Sequence, residues 1–326
     1  MNDPFGRIID YLRISVTDRC NERCLYCMPQ GYHGWAQRQD HLTADEIVSI
    51  VQAATELGFR KFRVTGGEPL VRHDIVSILT RIWDLPGVQT LGLSTNATRL
   101  AELAPSIKQA GVRSLNISLD ALDPTVYQRL TGGDLTRVLA GIETARREQF
   151  EVIKLNCVLL RGLNESEIEP LIAFAAARDM PLRFIEWMPL SSTDALNPSH
   201  FFSIEELKDR LRQKGSLTPL PAYRPGHGPA QYWLYEPSGL SGPVKLGFIG
   251  ALTTHHFCES CNKLRLTADG KLRPCLGRTG EIDLRQVIRA GGNPSDALRQ
   301  AIANKPENHE FLNNYQPLRP MTAIGG

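Results

Sequence analysis

The chain has 326 residues, 42% of them hydrophobic, and a formal net charge of +2. That is enough apolar material for one large domain or two ordinary ones, and it excludes global disorder. So balanced a charge excludes a whole-chain field for nucleic acid or membrane, and any charge argument is local. No run approaches the ~20 apolar residues of a membrane span, and the first residues, Met1-Asn2-Asp3-Pro4-Phe5-Gly6-Arg7, show no secretory signal. Seven cysteines, odd in number and clustered, argue against a disulfide framework. A reducing, cytoplasmic setting is expected.

In chain order, strands are expected over 12–17, 62–65, 90–95, 114–120, 152–160 and 182–187. Thr43-Ala44-Asp45-Glu46 has capping-box spacing and predicts a helix from there to Leu57, with Gly58 as its stop. Further helices fit 73–83, 99–110, 135–148 and 164–178, with Gly87 and Gly111 where turns and helix ends favour glycine. This repetition predicts a parallel sheet with right-handed crossovers. The units end near Trp187, too few for a closed eight-unit barrel. The expected fold class is therefore α/β, an open, partial (β/α)6 TIM-like barrel.

Composition changes after about Met188. A polar loop over 191–199 leads to a helix over 203–213, capped by Ser203. Pro219, Pro221, Pro225, Gly226, Gly228 and Pro229 deny regular structure to 219–229. Strands over 231–236 and 244–249 and helices over 284–290 and 294–304 complete a C-terminal α+β extension. The expected division is a barrel domain over 1–190 and an extension over 191–326 that closes it.

Cys20, Cys24 and Cys27 stand at C-x3-C-x2-C spacing just after the first expected strand. Three soft thiolates on one loop can hold three corners of an iron–sulfur cube and leave the fourth iron open. Structural zinc, the alternative, usually takes four ligands built from C-x2-C pairs. Cys258, Cys261 and Cys275 form a second group at C-x2-C-x13-C, which by itself also fits zinc completed by His255 or His256. Cys157 reads as a buried free thiol.

On the first strand Arg13, Ser15 and Thr17 alternate with Leu12, Ile14 and Val16, and Arg63 and Lys154 repeat that pattern on the second and fifth. A basic side chain directed into a barrel is unexpected for a plain core strand. Guanidinium forks match phosphate bidentately, and lysine serves as a point charge. Gly66-Gly67 follows the second strand, where glycine lets backbone approach a ligand closely.

With Tyr26 directly before its last cysteine, the first loop resembles that of the radical S-adenosylmethionine superfamily. The likeness narrows at the second group, which reads C-x2-C-N-[basic]-x-R-x4-G-x-L-x2-C-L. Together with the run 12–21, Thr65-Gly66-Gly67-Glu68-Pro69, Asn116-Ile117-Ser118-Leu119-Asp120, Arg183-Phe184-Ile185-Glu186 and the final Gly325-Gly326, it resembles the GTP 3′,8-cyclase family of molybdenum cofactor biosynthesis. The resemblance runs nearly the whole length.

It implies two 4Fe–4S clusters, one on Cys20, Cys24 and Cys27, the other on Cys258, Cys261 and Cys275 in the C-terminal extension, each with an open iron. It implies S-adenosylmethionine on the first, contacted by Tyr26, Gly67, Ser118 and Met188. GTP is the implied substrate, contacted by Arg13, Arg63, Ser94, Lys154, Lys263, Leu264 and Arg265, with guanine at the second cluster. Cys20, Cys24, Cys27, Arg265, Gly325 and Gly326 are then the catalytic set. Also implied are an electron donor of unknown identity and a downstream cyclic pyranopterin monophosphate synthase that takes the product. No nucleic acid or membrane partner is expected, and monomer and homodimer both stay open. The chain departs from the family pattern at Lys263, where arginine is usual, at Ser94, where threonine is usual, and at Ala97, where glycine is common. A radical S-adenosylmethionine enzyme that modifies peptides and a non-enzymatic zinc-binding module are the rival readings.

Overall fold

The structure, a computed structural model, describes residues 1–28, 31–35, 37–190, 195–239, 242–254, 256–313 and 315–325, with Arg38 as backbone alone. The expectations placed on Gly326, on His255 and on 191–194 lie outside the described residues. The first part runs β1 (Tyr11–Ser15), α1 (Ala44–Glu56), β2 (Lys61–Thr65), α2 (Ile75–Trp83), β3 (Thr90–Thr95), α3 (Leu100–Gln109), β4 (Ser114–Ser118), α4 (Pro124–Thr131), α5 (Leu135–Arg147), β5 (Val152–Leu159), α6 (Ile168–Ala176) and β6 (Leu182–Glu186). Then follow α7 (Ile204–Arg212), β7 (Gly215–Pro219), β8 (Gln231–Pro237), β9 (Val244–Ile249), β10 (Lys263–Leu266), β11 (Lys271–Arg273), β12 (Ile282–Asp283), α8 (Leu284–Arg289), α9 (Pro294–Ala303) and α10 (Met321–Ile324).

All these strands join one sheet, in the order β12-β11-β10-β1-β2-β3-β4-β5-β6-β9-β8-β7. Neighbours from β10 to β9 are parallel, and antiparallel strands flank them on both sides. The C-terminal residues are thus woven into both sides of the parallel block: β10 pairs with β1, and β9 with β6. Among the described residues no helix is long and apolar enough to cross a membrane.

Strand side chains alternate between two faces. Leu12, Ile14, Phe62, Val64, Leu91, Leu93, Leu115, Ile117, Leu155, Leu182 and Phe184 turn outward into the core under the helices. The intervening Arg13, Arg63, Ser94, Asn116, Lys154 and Arg183 turn inward and line a common chamber. The anticipated capping box opens α1: Glu46 N–H donates to Thr43 Oγ1 (3.2 Å) and Thr43 N–H to the Glu46 carboxylate (2.8 Å). Gly58 follows at φ 93°, where a Cβ is strained.

Three features differ from the sequence expectations. Helix α4 was not anticipated, although Asp123 before Pro124 is a capping signal; its carboxylate accepts from the amides of Thr125 and Val126. The stretch 164–178 divides into a 3-10 turn, Glu165–Glu167, and α6. Strands β7 and β10–β12 are short and owe their existence to distant partners, which local pattern does not reveal.

Glu186 ends β6 with a fully buried side chain. Its carboxylate accepts from the amides of Ile204 (2.9 Å), Leu252 (3.0 Å) and Thr253 (3.3 Å) and from the Thr253 hydroxyl. One group therefore fastens β6 to the start of α7 and to the turn after β9. Glu186→Ala leaves those donors without an acceptor. It should lower stability by roughly 3 kcal/mol, with Glu186→Gln milder, as read by denaturant melts.

Candidate active site

The loop after β1 is held by α4. Arg23 and Leu25 donate their amides to the carbonyls of Thr131 (2.6 Å) and Leu130 (2.9 Å) at that helix's C-terminal end. Tyr127 of α4 donates to the buried Glu22 carboxylate at 2.9 Å. The Tyr26 hydroxyl donates to Asp120 at 2.6 Å, just past β4. So anchored, Cys20, Cys24 and Cys27 all face the chamber. Burial raises the pKa of each thiol, Cys27 to about 12, and Glu68 adds to the rise at Cys20, Glu22 to that at Cys24. These thiols stay protonated at neutral pH until a positive group arrives, as an iron–sulfur cluster does. Among the described residues no three His, Cys, Asp or Glu side chains converge as ligands of a single ion would. Three thiols on one loop are the soft donor set that an iron–sulfur cluster takes.

The turn after β2 packs against the same loop. Gly67 donates to the Thr17 carbonyl (2.7 Å) and Glu68 to the Arg19 carbonyl (2.8 Å). A Cβ on Gly67 would collide with the carbonyl oxygens of Asp18 and Arg19. Packing alone therefore demands glycine there, whatever its ligand role. Glu68 is buried, accepts from Leu70 N–H, Thr95 Oγ1 and Asn96 N–H, and has its pKa raised by burial to about 7. Ser118 and Met188 also line the chamber.

Cys258, Cys261 and Cys275 face this chamber too. Burial raises the pKa of Cys258 and Cys275, whereas at Cys261 Lys305 and Lys263 outweigh burial and lower it. Lys263 and Arg265 point into the chamber from β10. Leu264 lies between them on the same strand, so a contact from it to GTP would come from its backbone. Strand alternation turns it the other way, and its side chain is fully buried in the core.

Arg265, Arg13 and Arg63 lie in one row across β10, β1 and β2. The row continues to Gly92, where a Cβ would stand 2.5 Å from Arg63 Nη2, so glycine leaves the guanidinium its place. Arg63 donates to Tyr11 Oη (2.7 Å), Leu93 O (2.9 Å) and Ser114 Oγ (3.0 Å). Ser94, Asn116 and Lys154 form a second row on β3, β4 and β5. Ser94 Oγ and Asn116 Oδ1 are buried and find no hydrogen-bond partner among the described residues. Lys154 donates to the Pro225 carbonyl at 2.7 Å. Burial, then Arg63 and Arg183, lower its pKa to about 6. Burial, then Arg265, bring Arg13 down to about 9, so it remains charged at neutral pH.

Gly325 reaches this cluster: its carbonyl accepts from Arg265 Nη1 at 3.0 Å. Its φ is 85°, and a Cβ would lie 2.7 Å from that of Ser15. Arg183 was missed by the sequence reading, although Leu182-Arg183-Phe184 repeats the β1 pattern. It is buried, donates to Asn156 Oδ1 at 2.7 Å and lines the chamber. The cavity measures about 370 Å³, a size typical of small-molecule sites.

Residues 14–175 match the Radical SAM superfamily, and residues 180–311 match Molybdenum Cofactor Synthesis C. The GTP 3′,8-cyclase of Pseudomonas putida (strain W619) is 42% identical, with 99% of this chain and 97% of that one covered. That of Thermodesulfovibrio yellowstonii is 39% identical over 100% of both chains. Among solved structures, SuiB of Streptococcus suis bound to S-adenosylmethionine aligns with a TM-score of 0.59 at 14% identity, covering 86% of this chain and 64% of that one. Native anSMEcpe with bound AdoMet gives 0.54 at 15%, covering 92% and 82%. At such identities these two structures speak for the fold alone.

Fold and first cysteine loop define a radical S-adenosylmethionine enzyme, a class that implies a 4Fe–4S cluster and S-adenosylmethionine. With full-length relatives at 42% and 39% identity, the chain belongs to the GTP 3′,8-cyclase family.

Lys154 gives this site a pH signature. Its folded-state pKa of about 6 lies below the ordinary 10.5. Between those values the unfolded chain holds a proton that the folded one has released, so this group makes stability rise with pH across that window. A bound polyanion favours the charged lysine. Inorganic triphosphate binding at pH 8 should therefore take up about one proton, seen by calorimetry in buffers of different ionisation enthalpy. Lys154→Met should remove most of that uptake.

Proposed function

We propose that the protein converts GTP to (8S)-3′,8-cyclo-7,8-dihydroguanosine 5′-triphosphate, the first step of molybdenum cofactor biosynthesis, within a partial barrel closed by the C-terminal extension. One observation carries the reading: two cysteine triads open onto a single chamber whose walls between them are basic. Cys20, Cys24 and Cys27 would hold the first 4Fe–4S cluster, and Cys258, Cys261 and Cys275 a second. With S-adenosylmethionine bound, the first cluster supplies a one-electron cleavage that yields a hydrogen-abstracting radical. Tyr26, Gly67, Ser118 and Met188 surround that cofactor's place. Arg13, Arg63 and Arg265 offer guanidinium forks to the triphosphate, while Lys154 and Lys263 add point charges.

The chain's own work is to hold and orient. Ser94 Oγ and Asn116 Oδ1, which have no hydrogen-bond partner among the described residues, are placed to bond ribose or base. Gly325 sets a backbone carbonyl on Arg265 and thereby fixes that guanidinium beside the reacting groups. Binding both reactants in one chamber replaces a bimolecular encounter with a positioned one. GTP is the proposed partner, with an electron donor and a product-consuming synthase beyond it. The peptide-modifying reading has only the common fold behind it.

The test is anaerobic turnover of GTP and S-adenosylmethionine with a strong reductant, the product identified by mass and fragmentation. Absence of a cyclised nucleotide overturns the reading. About eight irons per chain are expected for two cubes. Cys24→Ser should abolish S-adenosylmethionine cleavage. Cys275→Ser should spare uncoupled cleavage and end cyclisation. Lys263→Arg should preserve or tighten GTP binding.

A further inference from the structure

Lys305 follows α9 and is only 3% exposed. Its amide donates to Ile302 O (3.1 Å), continuing a helix that Leu298, Ala301 and Ile302 anchor in the core. Its ammonium donates to Lys263 O at 2.9 Å and to Pro274 O at 2.7 Å. One carbonyl lies two residues after Cys261, the other directly before Cys275. An ammonium has three donors, and the charge also acts on the Cys261 thiol, whose pKa it helps to lower. The same charge acts on Cys258 and Cys275 as well.

A buried ammonium is costly unless negative groups surround it. Two peptide carbonyls supply part of that compensation. Three sulfurs beside it supply the rest once they are thiolates. The first cysteine triad differs: among the described residues, the largest charges acting on Cys20 and Cys24 come from Glu22, Glu68, Asp120 and the thiols themselves. A neutral amide side chain could also donate to both carbonyls, so the charge itself needs an explanation.

We infer that Lys305 is a positioning residue for the second iron–sulfur cluster, tying the two arms that carry Cys261 and Cys275 and raising the cluster's reduction potential with its buried positive charge. The inference rests on the two-cluster reading above. Positive charge near a cluster favours the reduced, more negative state, and hydrogen bonds toward its sulfurs act in the same direction. Lys305 is remote in sequence from every cysteine, so its role is visible only in the fold.

The test uses anaerobic holoenzyme and dye-mediated redox titration followed by electron paramagnetic resonance, with iron counted in each sample. The second cluster's signal is assigned by its loss in Cys275→Ser. Lys305→Gln and Lys305→Met remove the charge, the latter filling similar space, and Lys305→Arg keeps it. Expected are a shift of the second midpoint to lower potential in both neutral variants, an unmoved first midpoint in all, and recovery in Lys305→Arg. An unshifted second midpoint in either folded neutral variant overturns the inference. So does an equal shift of both clusters, or failure of both neutral variants to fold, which would make Lys305 a structural post. A wild-type protein with only one cluster fails earlier and differently, in its iron count, and removes the underlying reading along with this one.

Discussion

Positive charge buried among neutral hydrogen-bond acceptors is the constraint around which the chamber is built. Among the described residues, Arg63, Lys154, Arg183, Lys263 and Arg265 donate to neutral oxygens: Tyr11, Leu93 and Ser114, then Pro225, Asn156, Asn262 and Gly325. Like charges in a low-dielectric space repel strongly. The fold tolerates this because guanidinium is weakly hydrated and because Lys154 can give up its proton. An anion that enters relieves the repulsion and restores that proton. Part of its affinity is therefore relief of strain already present in the empty fold.

The two cysteine triads sit in opposite electrostatic surroundings. The first is packed among Glu22, Glu68 and Asp120. The second has Lys263 and Lys305 beside Cys261. Identical clusters in these two places would not be equivalent. Negative surroundings make a cluster harder to reduce and its reduced form a stronger donor, while positive surroundings do the reverse. That asymmetry suits the proposed division of work, in which one end delivers an electron and the other holds the substrate.

Much of this was legible in the sequence because it is local. The alternation in Leu12-Arg13-Ile14 reveals both faces of β1, and Thr43 with Glu46 reveals the start of α1. The cysteine spacings reveal the triads. What stayed hidden depends on partners far along the chain. Strand β10 exists because it lies beside β1, about 250 residues away. The motif spanning Lys263 to Arg265 does not show that Leu264 turns its side chain to the core, because it gives no face until the strand is known. Gly67 has a packing reason that no sequence pattern distinguishes from a ligand reason. Arg183 could have been found by applying the β1 argument to β6.

The sharing of one sheet by both parts of the chain has a mechanical consequence. With β10 laced to β1 and β9 to β6, the strands beside the two triads belong to one hydrogen-bonded sheet, which resists their separation. A large ligand would then come and go by rearrangement of loop segments that line the chamber, such as the stretch carrying His227, Gly228 and Pro229, rather than by the swinging of one half away from the other.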